Sequence, residues 1–183
     1  MSNSKKTIIK ACDWSGQKRL ADYMNDYKVY PALTRKLDAP NLIFDQNTIN
    51  EIVLWKVARY AELPSTLFKQ LGNLKTADLS LGKTVLSELL KIKGVRLPMA
   101  STFLRFANPD VFQIFDRHIY RAIYGKLPGS ISKDPESCWE LYKPFLDDLR
   151  KLCLSKEIHF RDSDRILFEF DKRENPSLKS SEQ

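Results

Sequence analysis

Apolar residues recur at helical spacing along almost the whole chain, and a period near 3.6 is incompatible with strands that alternate faces. Only six glycines occur, too few for a fold made of many tight hairpins. An all-α fold is therefore expected. The 183 residues suit one domain, or two small lobes sharing a core. A hydrophobic fraction of 43% supplies that core. The sequence contains no internal repeat and no low-complexity run.

The pattern divides into successive helices. A first is expected after Ser15, with Leu20, Tyr23, Met24 and Tyr27 on one face, followed by a loop region punctuated by Pro31 and Pro40. Thr48-Ile49-Asn50-Glu51 reads as a capping box. The stripe Ile49, Ile52, Val53, Val57 and Tyr60 follows it, with Leu54, Trp55 and Ala58 adding apolar surface off the stripe. Such a helix, apolar nearly all round, is expected to be central and buried. A short helix opens at Pro64-Ser65 and ends near Gly72, and another runs from about Lys83 to Ile92 with Leu86, Leu89 and Leu90 inward. The next carries Pro98 in its first turn and presents Ala100, Phe103, Leu104 and Ala107, with Asn108-Pro109 as its stop. Asp116 is the expected N-cap of a helix ending at Gly125. After a loop with Pro128 and Gly129, a long helix over 136–153 presents Trp139, Tyr142, Phe145, Leu146, Leu149 and Cys153. A last helix over 163–173 presents Ile166, Leu167 and Phe170, and a polar tail follows Asn175.

The formal net charge is +7 and the isoelectric point about 9.3, a balance that favours polyanionic partners. Cys12, Cys138 and Cys153 are scattered, with no C-x-x-C and only two histidines, so neither a zinc site nor an iron–sulfur cluster is expected. An odd, scattered set suits buried free thiols in a reducing compartment. Polar residues at 1–6 without an apolar run after them argue against a signal peptide, and no stretch approaches the ~20 apolar residues of a spanning helix. A cytoplasmic monomer is expected, nucleoid-associated in a bacterium or nuclear in a cell with a nucleus.

The segment Leu89-Leu90-Lys91-Ile92-Lys93-Gly94-Val95-Arg96-Leu97-Pro98-Met99-Ala100-Ser101 joins two amphipathic helices through a very short link. Gly94 supplies the dihedral freedom such a turn needs, and Val95 is suited to plug the gap between the helices. The first N–H groups of the second helix have no intrahelical acceptor and favour an anion. Lys91, Lys93 and Arg96 surround that end with positive charge, and Leu97 opens the helix. A bound phosphate is one reading; an ordinary helical hairpin with solvated charges is the other.

Residues 84–125 resemble the helix–hairpin–helix DNA glycosylase superfamily (HhH-GPD). In that family a hairpin of the form L-P-G-V-G-x-K-T-A precedes an aspartate motif of the form V-D-T-H-V-x-R. Here Ile92-Lys93-Gly94-Val95-Arg96 is similar to the hairpin, and Ile114-Phe115-Asp116-Arg117-His118-Ile119-Tyr120-Arg121 to the aspartate motif. The chain departs from the family at three points. Arg96 replaces the second hairpin glycine, Pro98 stands where bifunctional members carry a nucleophilic lysine, and the iron–sulfur cysteines of the endonuclease III branch are absent.

The resemblance implies a two-lobed helical fold: one unit over 1–175, with lobe one from about 1–45 and 130–175, and lobe two from about 46–129 with the hairpin at 84–107; the polar composition of 176–183 predicts a disordered tail. A flipped base would lie in the cleft between the lobes, facing Asp116. The implied partner is double-stranded DNA and the implied activity is hydrolysis of the N-glycosidic bond of a damaged or modified base. Asp116 would stabilise the oxocarbenium-like sugar and orient water; its structural alternative is a helix cap. Without a lysine at Pro98, base release without strong strand cleavage is implied, unless Lys56 substitutes. Lys56 falls at i+7 from Ile49 and either snorkels to solvent or lines a cavity as an amine nucleophile. Trp55, Arg59 and His118 are the candidate pocket residues; Trp55 could stack on a flipped base, although a large core aromatic is the commoner role, and His118 is suited to packing or hydrogen bonding behind Asp116. Arg117 and Arg121 are candidates for phosphate contact or for solvated positions. No cofactor is implied beyond a monovalent cation at the hairpin carbonyls. Two rival readings are a non-catalytic DNA-binding module on the same scaffold and a helical interaction domain whose basic surface serves solubility.

Overall fold

The computed structural model describes residues 8–27, 31–56, 63–76 and 79–175. Every regular element among them is helical. The α-helices are α1 (Pro31–Leu37), α2 (Gln46–Lys56), α3 (Ser65–Asn73), α4 (Leu79–Leu90), α5 (Leu97–Ala107), α6 (Arg117–Tyr124), α7 (Pro135–Ser155) and α8 (Ser163–Glu174). Tighter 3-10 turns lie at Leu20–Asp26, Leu74–Thr76 and Phe160–Asp162. Among the described residues no helix is long and apolar enough to cross a membrane.

Backbone proximity divides the chain into two units. The first comprises Met1–Tyr27, Asp116–Gly129 and Asp148–Gln183; the second comprises Lys28–Phe115 and Ser130–Asp147. These bounds differ from the expected lobes: 28–45 and 130–147 fall in the second unit, and 116–129 in the first. The reasons are specific bonds. The Trp55 indole N–H donates to Thr34 Oγ1 at 2.7 Å, and Arg105 pairs with Asp38 at 2.5 Å, so α1 and the turn after it are held by α2 and α5. Tyr142 Oη donates to the Gln113 carbonyl at 2.6 Å and joins the start of α7 to the segment after α5.

The second unit is centred on α5, where every residue from Ala100 to Ala107 is buried. It packs against α2, α3 and α4, and Trp55 meets Phe106 edge-on at 5.2 Å. Each fully buried Leu, Val, Ile or Phe contributes roughly 1.5–3 kcal/mol relative to exposure. Gly82 of α4 is required by close approach: a Cβ there would lie 2.2 Å from the Phe112 ring. In the first unit α8 packs against both α6 and the Leu20–Asp26 turn. Trp14, Tyr23 and Phe170 form a set of edge-to-face contacts with centroids 5.1–6.4 Å apart, and Tyr23 Oη donates to Glu174 at 2.5 Å.

Several local expectations need correction. Helix α2 begins three residues before Ile49, and its cap is Asp45, whose Oδ1 accepts the Thr48 N–H at 2.8 Å. Thr48 lies inside the helix and donates its hydroxyl to the Ile43 carbonyl at 2.7 Å, so it forms no capping box. Nor is α2 buried all round: Ile49, Ile52, Val53 and Trp55 are inside, but Leu54 is 53% exposed. Ala58, Val57 and Tyr60 lie outside the described residues, as does the tail at 176–183. Pro31 starts a helix where a loop was expected, because a proline in the first turn forfeits no intrahelical bond. Pro144 lies inside α7, where the missing N–H removes one ladder bond without ending the helix. Cys12 is exposed, whereas Cys138 and Cys153 are buried free thiols as expected.

Candidate nucleic-acid interface and carboxylate site

The hairpin lies wholly in the second unit. Helix α4 ends in successive tight turns, with Lys91 N–H bonded to the Glu88 carbonyl and Ile92 N–H to the Leu89 carbonyl. Gly94 then adopts φ +85°, the left-handed region that L side chains avoid. That rotation lets Val95 N–H return to the Ile92 carbonyl at 3.1 Å and turns the Val95 side chain inward, where it is 3% exposed. Arg96 stands at the N-cap of α5 in extended conformation and gives the first turn no side-chain hydrogen bond. Pro98 occupies the first turn, and Ser101 and Thr102 both donate to its carbonyl, at 2.9 and 2.8 Å. The Ser101 hydroxyl also accepts the Phe115 N–H at 2.9 Å, tying the end of the aspartate-motif approach to α5.

Positive charge is concentrated here. Between residues 89 and 109 there are four Lys or Arg and no Asp or Glu. Arg105 is consumed internally by Asp38. Lys91 pairs with Glu88 at 2.6 Å in an exposed bridge, an arrangement that contributes only about 0–1 kcal/mol and yields readily to another anion. Lys93 and Arg96 are exposed and make no ion pair among the described residues. Arg96 is near enough to the Cys138 thiol to oppose, in part, the upward push of burial and of Asp134.

The aspartate belongs to the first unit. Asp116 is the N-cap of α6, half-buried, with Oδ1 accepting the His118 N–H at 2.8 Å. The C-terminus of α6 closes on Gly125 in the left-handed region at φ +69°. His118 is itself anchored: Nδ1 lies 2.7 Å from Asp171 Oδ2, and its ring meets Phe168 edge-on at 5.0 Å. Arg121 is 1% exposed and donates Nε to Asp171 Oδ1 at 2.8 Å and Nη2 to Oδ2 at 2.6 Å. It is therefore neither a phosphate contact nor a solvated arginine, correcting both readings of it. Asn175 completes the cluster, donating to Asp171 at 3.0 Å and exchanging hydrogen bonds with the Ile9 backbone.

The remaining candidates separate. Trp55 is 8% exposed and is used in the core through Thr34 and Phe106. Lys56 is half-buried at the end of α2. Arg59 lies outside the described residues. Trp55 and Lys56 belong to the second unit, Asp116 and His118 to the first. Asp171 and Asn175 were missed by sequence reasoning. The available signal was position: Asp171 follows Phe170 and lies four residues after Leu167, on the edge of the apolar stripe of α8. No group of three or more metal-ligating side chains is found among the described residues. Comparison with known families, characterised proteins and solved structures found no match.

Proposed function

We propose that this chain is a diverged helix–hairpin–helix DNA glycosylase that hydrolyses the N-glycosidic bond of a damaged or modified base in duplex DNA. The observation that carries the reading is the hairpin: Gly94 in the left-handed region, Val95 buried, and an α5 N-terminus without a side-chain cap, flanked by Lys93 and Arg96. A DNA phosphate satisfies first-turn N–H groups and neutralises those cations together. In this reading the aspartate motif supplies the chemistry. Cleavage of the bond between C1′ and the base nitrogen leaves the electron pair with the base and positive charge on the sugar. The Asp116 carboxylate stabilises that charge and orients water, whose oxygen bonds to C1′ as its proton passes to the carboxylate and on to the departing base. Pro98 has no amine, so the hairpin offers no Schiff base and the product is an abasic site.

A non-catalytic DNA-binding module is the second reading, favoured by one observation: Asp116 already has a structural use as the cap of α6. The two are separated by incubating the protein with duplexes carrying 8-oxoguanine, uracil, an alkylated purine or mismatched adenine, followed by alkali. Base release by wild type that is lost in Asp116→Asn supports the glycosylase. Salt-dependent binding without release supports the module. Absence of both leaves the helical interaction domain.

A further inference from the structure

We infer that Asp171 is a positioning residue for Asp116, acting through His118; this rests on the glycosylase reading only for its kinetic consequence. Asp116 and His118 are joined at the first turn of α6 by the backbone N–H of His118, so the place of that amide sets where the carboxylate oxygen lies. A helix of eight residues is marginal by itself, and its ends are where it frays. Here that turn is held from α8 by two side chains one helical turn apart. Asp171 accepts at its Oδ2 from the side of the imidazole Nδ1, and Phe168 fixes the plane of the same ring.

The Asp171 carboxylate has no exposed surface and is met by four polar contacts: Arg121 Nε and Asn175 Nδ2 at Oδ1, Arg121 Nη2 and His118 Nδ1 at Oδ2. That set uses essentially all its acceptor sites. Arg121, one turn further along α6, ties the middle of the helix to the same carboxylate of α8. The additional bond to His118 acts at the near end, beside Asp116, and its effect is geometric. A reacting carboxylate must be held to within a fraction of an ångström, and a 1 Å displacement can cost about 100-fold in rate.

The test uses His118→Phe in the full chain, which keeps a ring against Phe168 and leaves the Arg121–Asp171 pair intact, with His159→Phe as an exposed control. Two quantities are read: the rate and KM of base release on whichever of the four lesion duplexes wild type cleaves fastest, and the side-chain carboxyl 13C resonance of Asp116, assigned from Asp116→Asn. We expect His118→Phe to remain folded, to lower the maximal rate by about 10- to 100-fold with KM unchanged, and to shift the Asp116 resonance; His159→Phe should do neither. A wild-type rate and an unmoved resonance overturn the inference. A slowed rate with an unmoved resonance also overturns it, because His118 would then act without positioning Asp116. If wild type releases no base but the resonance shifts, the glycosylase reading fails and the positioning role stands.

Discussion

Arg121 and Asp171 form a bidentate ion pair closed to solvent on both sides, with contacts of 2.8 and 2.6 Å between residues fifty positions apart. It joins α6 to α8, and Asn175, which donates to the same carboxylate, bonds the backbone of Ile9, so three distant stretches of the first unit are linked through one cluster.

Removing one partner of such a pair leaves a buried charge without its counter-charge. Asp171→Leu or Arg121→Leu is expected to lower stability by about 3–5 kcal/mol. Replacing both with leucine should cost less than either single change, since the desolvation penalty disappears with the charges. Urea unfolding midpoints at unchanged slope measure all three variants. A double variant as unstable as the sum of the singles would show that the two side chains act independently.

The period of the apolar residues made most of the helices legible, and the pattern at Asp116 and Gly125 marked both ends of α6. What the pattern could not convey was partnership. Asp45 and Thr48 are both good caps, and only the backbone path after Ile43 decides that Asp45 takes the N–H and Thr48 turns back to a carbonyl. Arg121 looked like a surface arginine because its partner lies in another helix. The candidate site was legible as two motifs, whereas the anchor behind His118 depends on a contact between α6 and α8 that no local spacing encodes.

In the proposed DNA-binding reading, the cations of the hairpin should not contribute equally to binding of a duplex. Among the described residues Lys93 and Arg96 make no ion pair, and Lys91 already has Glu88. Each phosphate contact removed lowers the slope of log affinity against log salt by about 0.9. Lys93→Ala and Arg96→Ala are expected to lower the slope by about that amount each, and Lys91→Ala by less. Titration of a fluorescent duplex between low and moderate salt reads these slopes. Equal slopes in all variants would remove the hairpin from the interface.

Burial pushes the Cys153 thiol up to about 11, against partial opposition from its hydrogen bond with Ser163. An unfolded chain releases that proton near the ordinary thiol value, and the folded chain holds it. Between about pH 9 and 11 the native state therefore binds more protons, and stability falls as pH rises. Cys153→Val should remove this one contribution to the alkaline limb, leaving those of Cys138, Tyr23 and Tyr124, whose pKa values burial also raises. Cys153 is buried and its thiol is held protonated well above the ordinary value, so alkylation in native conditions should label exposed Cys12 first and Cys153 only after unfolding. Denaturation curves at stepped pH, with mass spectrometry of the labelled chain, check both statements.

Asp116 carries two roles that a single substitution can pull apart. As a cap, it needs only an oxygen to accept the His118 N–H, and asparagine supplies one at nearly the same place. Its proposed role toward a developing positive charge needs the negative charge, which asparagine lacks. Asp116→Asn should therefore stay within about 1 kcal/mol of wild type, the residual being the lost interaction with the helix dipole. Asp116→Ala should lose about 0.5–2 kcal/mol, since the first-turn N–H then has no side-chain acceptor. If the residue is only a cap, base release should track stability across the series, with Asn near wild type and Ala impaired. If the charge does the chemistry, both variants should lose release to the same extent, while their affinity for the duplex stays within a few fold of wild type. Stability and single-turnover release measured on the same three proteins distinguish a capping residue from a reacting one without reference to any other site.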